Sequence, residues 1–285
     1  MPHYLDPKND LTFKRVFGEH KHLCMSLINS MLPLEKPIVK IEYQTGELVP
    51  ELVNVLRNTV VDVRCTDSEG WQFLVEMQLF WDESFKSRVL FNASKAYVMQ
   101  LEKAEKFNML KPVYALNFVN DQFVPSAEYY HHYRIVNIYD IDQQIKGLEF
   151  LFVELPKFKP QNRAEKKLQD LWLRFLTEIN EKTTEVSQDM LENDHIREAV
   201  GYMERAGYTK EQLDAYYQWK IDSMTARGML EEAEIRGLEK GEAIGLEKQA
   251  VIIAKKLLKK GMSIEDVGDT TGLSKQQIEE IIDRM

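Results

Sequence analysis

The stretch Thr59–Phe80, TVVDVRCTDSEGWQFLVEMQLF, decides how this chain is read. Val60 to Cys65 and Gln72 to Leu79 are runs of β-forming residues with apolar side chains at alternating positions, the period of a strand. Between them, Asp67-Ser68-Glu69-Gly70 offers a three-residue loop of Ser68, Glu69 and Gly70, with the glycine in the left-handed position that such hairpins use. That register centres on Glu69 and sets Asp62 directly opposite Glu76. Opposed residues have Cβ atoms roughly 4.5–5.5 Å apart. Gln78 falls two positions beyond Glu76, on the same face. The other face collects Val61, Val63, Cys65, Phe73, Val75, Met77 and Leu79. A slip of one residue would exchange the two sets, so burial of the apolar set fixes the register.

Two carboxylates and an amide on one face make Asp62, Glu76 and Gln78 the candidate site. The plain alternative is the solvent-exposed polar face of an antiparallel hairpin. Two properties weigh against it. Acids placed directly opposite each other destabilise a sheet unless a cation lies between them, and carboxylates are the hard oxygen ligands that Mg²⁺ or Mn²⁺ prefers.

The rest of the composition sets bounds. The chain has 285 residues, 44% of them hydrophobic, enough for a sizeable core. No apolar run of about 18 residues is present to form a transmembrane helix, and the charged start MPHYLDPKNDLTFKRVF lacks the apolar core of a signal peptide. Two cysteines, Cys24 and Cys65, make neither a disulfide framework nor a zinc site. A reducing, cytoplasmic setting with no membrane association is expected. The net charge of −9 counts against non-specific nucleic-acid binding.

Outward from the hairpin, Asp10 to Met31 reads as a helix ended by Pro33 and Pro37, with Gly18 its weak point. A strand follows near Ile38 to Tyr43. After the hairpin, Ser84 caps a long helix from Phe85 to about Lys106. Its polar face carries Arg88, Asn92 and Lys95, and its other side Leu90, Ala93, Tyr97 and Leu101. Strands at Pro112 to Val119, near Tyr133 to Ile138 and at Leu148 to Leu155 complete an α/β order with a mixed sheet. Beyond Pro156 the composition shifts. Lys157 to Pro160 reads as a linker, and from Ala164 the chain is helical, with Leu168, Leu171, Trp172, Phe175 and Ile179 in one stripe. Further helices are expected near Met190 to Arg205 and Glu211 to Arg227.

The tail is unusual. Gly237, Gly241 and Gly245 recur at a spacing of four within a charged helical pattern, although a glycine inside a helix costs about 1 kcal/mol relative to alanine. Close packing against a second helix and deliberate flexibility both account for it. Ser263 with Asp266, then the turn Thr271-Gly272-Leu273-Ser274, have helix-turn-helix spacing. The last helix, SKQQIEEI, holds more acid than base, which is poor for a major groove. A packing or oligomerisation unit is favoured.

Several of these segments together resemble the PD-(D/E)xK nuclease superfamily, and within it the family transposases or Rpn-type recombination-promoting nucleases. DLTFKRVFG (Asp10–Gly18) is similar to that group's opening motif, VVDV around Asp62 and LVEMQ around Glu76 to its catalytic pair, and Arg88 with SKAYVMQL to its following helix. The glycine-spaced tail and KGMSIEDVGDTTGLS also match, so the resemblance covers almost the whole chain. It implies a restriction-endonuclease-like core with a mixed central sheet over residues 1–156; the composition beyond it marks a helical region over 157–227 and a tail over 228–285, where a homo-oligomer, a dimer, is expected. It implies a metal-dependent DNA endonuclease acting in recombination, mobile-element or phage-defence contexts. Asp62 and Glu76, with the Met77 backbone carbonyl, would hold Mg²⁺ or Mn²⁺, which activates water and stabilises charge on the scissile phosphate.

Gln78 stands where the superfamily has lysine. An amide orients water but supplies no charge and no base. Asp10, Lys14, Arg88, Lys95, Tyr97 and Gln100 are further candidates for contacting DNA. Asp10 reads equally as a helix cap, Lys14 as a solvated charge, Arg88 and Lys95 as partners of Asp82 or Glu102, Tyr97 as core and Gln100 as a surface amide. The alternative to the enzyme is an inactive nuclease-fold module that binds DNA or protein, regulated through its tail.

Overall fold

A computed structural model describes residues 3–44, 62–102, 106–160 and 167–284. Two compact units divide at 219/220, Met1–Trp219 and Lys220–Met285.

The first unit begins with a short α1 (Asp10–Phe13), a π-helical turn at Lys14–Gly18, and α2 (Lys21–Met31). The single expected helix is therefore interrupted just after Gly18. Leu32, before Pro33, is extended and ends α2. Next come β1 (Ile41–Tyr43), β2 (Val63–Asp67), β3 (Gln72–Gln78), α3 (Ser84–Val98), β4 (Val113–Val119), β5 (Tyr130–Asn137) and β6 (Asp140–Glu154). The strands form one sheet in the order β1-β2-β3-β4-β6-β5. β3, β4 and β6 run parallel, and the remaining pairs are antiparallel. This is the expected mixed sheet of an α/β nuclease-like fold.

The β2–β3 turn forms as its letters predict. Asp67 pairs back to Trp71, Gly70 takes φ +89°, and the Asp67 carboxylate accepts the N–H groups of Glu69 and Trp71, each at 2.9 Å. Val63 then faces Val75, and Cys65 faces Phe73. Val60 and Val61, the start of the expected strand, lie outside the described residues.

Both faces of the sheet are covered, which explains why VYALNFV in β4 is buried throughout and apolar but for Asn117. Tyr114, Leu116 and Phe118, with Phe73 and Val75, face a core that includes Phe13, Phe17 and α2. Val113, Ala115 and Val119, with Leu74, face Phe85, Val89, Ala93 and Ala96 of α3. α3 sits differently from expectation. Ser84 lies within the helix, its hydroxyl bonded to Asp82, and a 3-10 turn, Met99–Glu102, follows. Asn92 of the supposed polar face is buried, whereas Leu90 and Leu101 are exposed. The opposing strands carry Arg64, Gln72 and Glu76 on that side, so polar helix residues meet polar sheet residues.

α4 (Lys167–Glu178), α5 (Gln188–Leu191) and α6 (Asp194–Met203) close the other face. The Leu171-Trp172-Phe175-Ile179 stripe is buried as the spacing predicts. Trp172 lies 5.3 Å from Phe17, ring to ring, and its indole N–H donates to Ser26. Phe158 is buried in the same core and Lys157 pairs with Glu154, so residues 157–158 are fastened to the sheet. The predicted start of the helical region, at Ala164, lies outside the described residues.

α7 runs without a break over Lys210–Lys259, where two segments were expected. In the second unit its end packs with α8 (Ile264–Thr271) and α9 (Lys275–Asp283) around Ala254, Val267, Leu273, Ile278 and Ile281. Ser263 and Ser274 cap α8 and α9, and Gly272 turns at φ +72°. Apart from the adjoining turns of the helix itself, no atom lies within 4 Å of where a Cβ would stand on Gly237, Gly241 or Gly245. Among the described residues no helix is long and apolar enough to cross a membrane.

Candidate active site

The β2–β3 ladder ends at the Val63–Val75 pair; Asp62 is the residue just before β2, and Glu76 is the next residue along β3. The Asp62 and Glu76 side chains are 14% and 11% exposed. Asp62 Oδ2 accepts the Met77 N–H at 2.7 Å. Successive residues of β3 use their backbone groups on opposite edges. Gln72 donates to Pro112 and Gln78 accepts from Asn120 on the β4 side, which turns the Met77 N–H and carbonyl toward Asp62.

Two other elements converge here. From the first helical segment, Lys14 Nζ bonds Asp10 Oδ1 at 2.7 Å and lies 3.8 Å from Asp62 Oδ1. The cap of α1 is Asn9, whose side chain accepts from Leu11, so Asp10 is left to pair with Lys14. From α3, Arg88 Nη2 donates to Gln78 Oε1 at 2.7 Å and lies 3.6 Å from Glu76 Oε1. The Gln78 amide nitrogen donates to the Phe80 carbonyl at 2.8 Å. Thus Asp10, Lys14, Asp62, Glu76, Gln78 and Arg88 meet.

Lys95, Tyr97 and Gln100 are placed elsewhere. The Lys95 ammonium is buried two turns further along α3, the Tyr97 ring lies where a Cβ on Gly147 would meet it, and the Gln100 amide clasps the Lys111 backbone. Asn117, directly beside Glu76 across the β3–β4 pairing, was not anticipated. Its amide donates to the Ala115 and Leu151 carbonyls, and its only signal was being the one polar letter in VYALNFV.

The electrostatics mark the two acids as strained. Burial pushes the Asp62 carboxyl up to about 6, against the Met77 N–H and with the Asp10 charge adding to the rise. Burial and then the Asp62 charge push Glu76 up to about 7, against the pull of Arg88. Among the described residues no group of three or more His, Cys, Asp or Glu is placed to hold a metal ion. Two carboxylates beside a backbone carbonyl are oxygen donors of the kind a hard divalent cation takes, with water or substrate phosphate on its other positions.

The family model described as PD-(D/E)XK nuclease family transposase matches residues 7–225. The chain belongs to that family. No curated protein and no solved structure matches it. The match spans the sheet and the helices that close it, so this PD-(D/E)XK transposase-family chain has the family's nuclease-like fold across the first unit. Membership points to a nuclease-type function, to DNA as substrate and, in general, to dependence on a divalent metal.

Proposed function

We propose that this protein is a Mg²⁺- or Mn²⁺-dependent DNA endonuclease that hydrolyses phosphodiester bonds in a recombination, mobile-element or phage-defence setting in the cytoplasm. The observation that carries this is the nearness of Asp62 and Glu76, 14% and 11% exposed, where the Asp62 charge adds to the rise of Glu76 beside an arginine. Asp62, Glu76 and the Met77 carbonyl would hold the metal, which when bound supplies an activated water and stabilises phosphate charge. Arg88 faces the scissile phosphate with a fixed positive charge, and Gln78 orients it. Lys14 stands ready to contact a neighbouring phosphate. Incubating plasmid DNA with the protein and Mg²⁺ or Mn²⁺ tests the reading. It fails if wild type cuts no better than Asp62→Ala or Glu76→Ala.

One observation favours a second reading, a non-cutting nuclease-fold module that binds DNA or protein. The Gln78 amide is held by Arg88 at its oxygen and by the Phe80 carbonyl at its nitrogen, which leaves one N–H for water and no charge for a phosphate. Calorimetry separates the two: metal uptake lost in Glu76→Ala, without any cutting by wild type, supports the module.

We further propose that the protein dimerises through its C-terminal helices. Met224, Leu230, Ile235, Leu238 and Leu246 are exposed along α7, an apolar load that self-association would bury. A chain ending at Trp219 should then be monomeric by light scattering. An unchanged mass would remove the tail from the interface.

A further inference from the structure

Three aromatic rings gather round one lysine beside the site. Lys86 Nζ lies 5.3 Å from the Trp81 ring centroid, 5.1 Å from that of Phe123 and 5.9 Å from that of Tyr133. Trp81 and Phe123 stack almost parallel, 3.9 Å apart. Lys86 is exposed, Tyr133 is 41% exposed, and the stacked pair is half-buried. The group joins the acids through two contacts. Trp81 meets Phe85 edge-on at 5.8 Å, and the Arg88 guanidinium lies 4.9 Å from the Phe85 ring.

The rings are anchored from behind. The Trp81 N–H donates to Asp121, and the N–H groups of Phe123 and Val124 donate to Glu154 at 2.6 and 3.2 Å. Glu154 is fully buried and is held by His131 and Lys157 as well. A buried carboxylate is costly unless every oxygen is paired, and this one takes no part in the proposed hydrolysis. What it does is hold the Phe123 loop in one place.

We propose that Trp81, Phe123, Tyr133 and Lys86 form a stacking platform for an unpaired nucleobase next to the scissile phosphate, which makes the substrate class DNA with a short unpaired stretch. This rests on the nuclease reading above. Every base has a flat face that stacks on aromatic rings regardless of sequence. A base inside a duplex offers only its groove edges. On binding, Lys86 leaves the ring faces to the base and pairs with a backbone phosphate.

Binding in EDTA tests this apart from hydrolysis, with labelled duplexes that are fully paired, carry a few unpaired nucleotides, or carry abasic sites in the same stretch. Wild type should bind the unpaired form about tenfold more tightly than the paired one, and base stacking should quench tryptophan fluorescence. That preference should fall about tenfold in Trp81→Leu, Tyr133→Ala and Lys86→Gln. Tyr133 and Lys86 are exposed, so their variants stay informative if Trp81→Leu does not fold. Equal affinity for paired and unpaired DNA, abasic DNA binding as tightly as the unpaired form, or a preference that survives in Tyr133→Ala and Lys86→Gln would overturn the platform. No metal is present, so cutting by wild type but not by Asp62→Ala still supports the nuclease reading if the platform fails.

Discussion

The Arg88 guanidinium, carried by α3, donates to the Gln78 side chain of β3 at 2.7 Å and stands 3.6 Å from Glu76. A permanent positive charge thus sits where the strand itself offers only a neutral amide. Losing one preorganised charge-stabilising donor costs about 10²–10³ in turnover. Arg88→Ala should therefore lower plasmid cleavage by about that factor. Gln78→Ala, which frees Arg88 without removing it, should cost about tenfold, and Gln78→Lys with Arg88→Gln should recover part of the loss. Nicking rates at saturating metal check all three.

Asp62 and Glu76 titrate near 6 and 7 rather than near 3.8 and 4.5. The folded metal-free protein therefore keeps protons that the unfolded chain has already released between about pH 4 and pH 7. Its stability falls across that window as pH rises. Asp62→Asn and Glu76→Gln should flatten the fall, as read by urea midpoints in EDTA. Divalent metal must displace these protons, so Mg²⁺ or Mn²⁺ should raise the midpoint at pH 8 and have little effect at pH 5. An equal rise at both values would contradict the assignment of these acids as ligands.

Burial raises the Glu154 carboxyl, but Lys157, the Phe123 N–H, His131 and the Val124 N–H together bring it below the usual range. Glu154→Ala leaves the 91%-buried Lys157 side chain with only the Val124 carbonyl and takes the acceptor from the Phe123 and Val124 N–H groups and the partner from His131. It should cost about 3–5 kcal/mol by urea denaturation, with Glu154→Gln costing less.

Trp172 ties α4 to Phe17 and Ser26. Trp172→Ala should cost about 3–5 kcal/mol. A chain cut after Pro160 loses α4 and α6 from the core and should show no cooperative unfolding, whereas one ending at Trp219 should melt as a unit.

The hairpin was legible because its signals are local. A glycine free to take positive φ and a strict period of two leave one register, and that register sets Val63 against Val75 and Cys65 against Phe73. α3 was misjudged because Arg88, Asn92 and Lys95 look like a solvent face whenever the surface opposite is assumed apolar. Here the sheet surface opposite carries Arg64, Gln72 and Glu76. The break after Gly18 was visible only as a weak point, since helical apolar spacing continues across it and the core decides where the chain turns.

From sequence alone came the pair of acids, their strand face, and the family to which the chain belongs. These depend on spacing of a few residues, which letters state directly. Tertiary structure alone decided that Lys14 and Arg88 close on those acids from two separate helices, that burial lifts both carboxyls toward neutrality, and that Lys86 stands amid rings from β5 and two loops. Such contacts join residues far apart along the chain, and burial is a property of the whole packed molecule, so no local pattern encodes either.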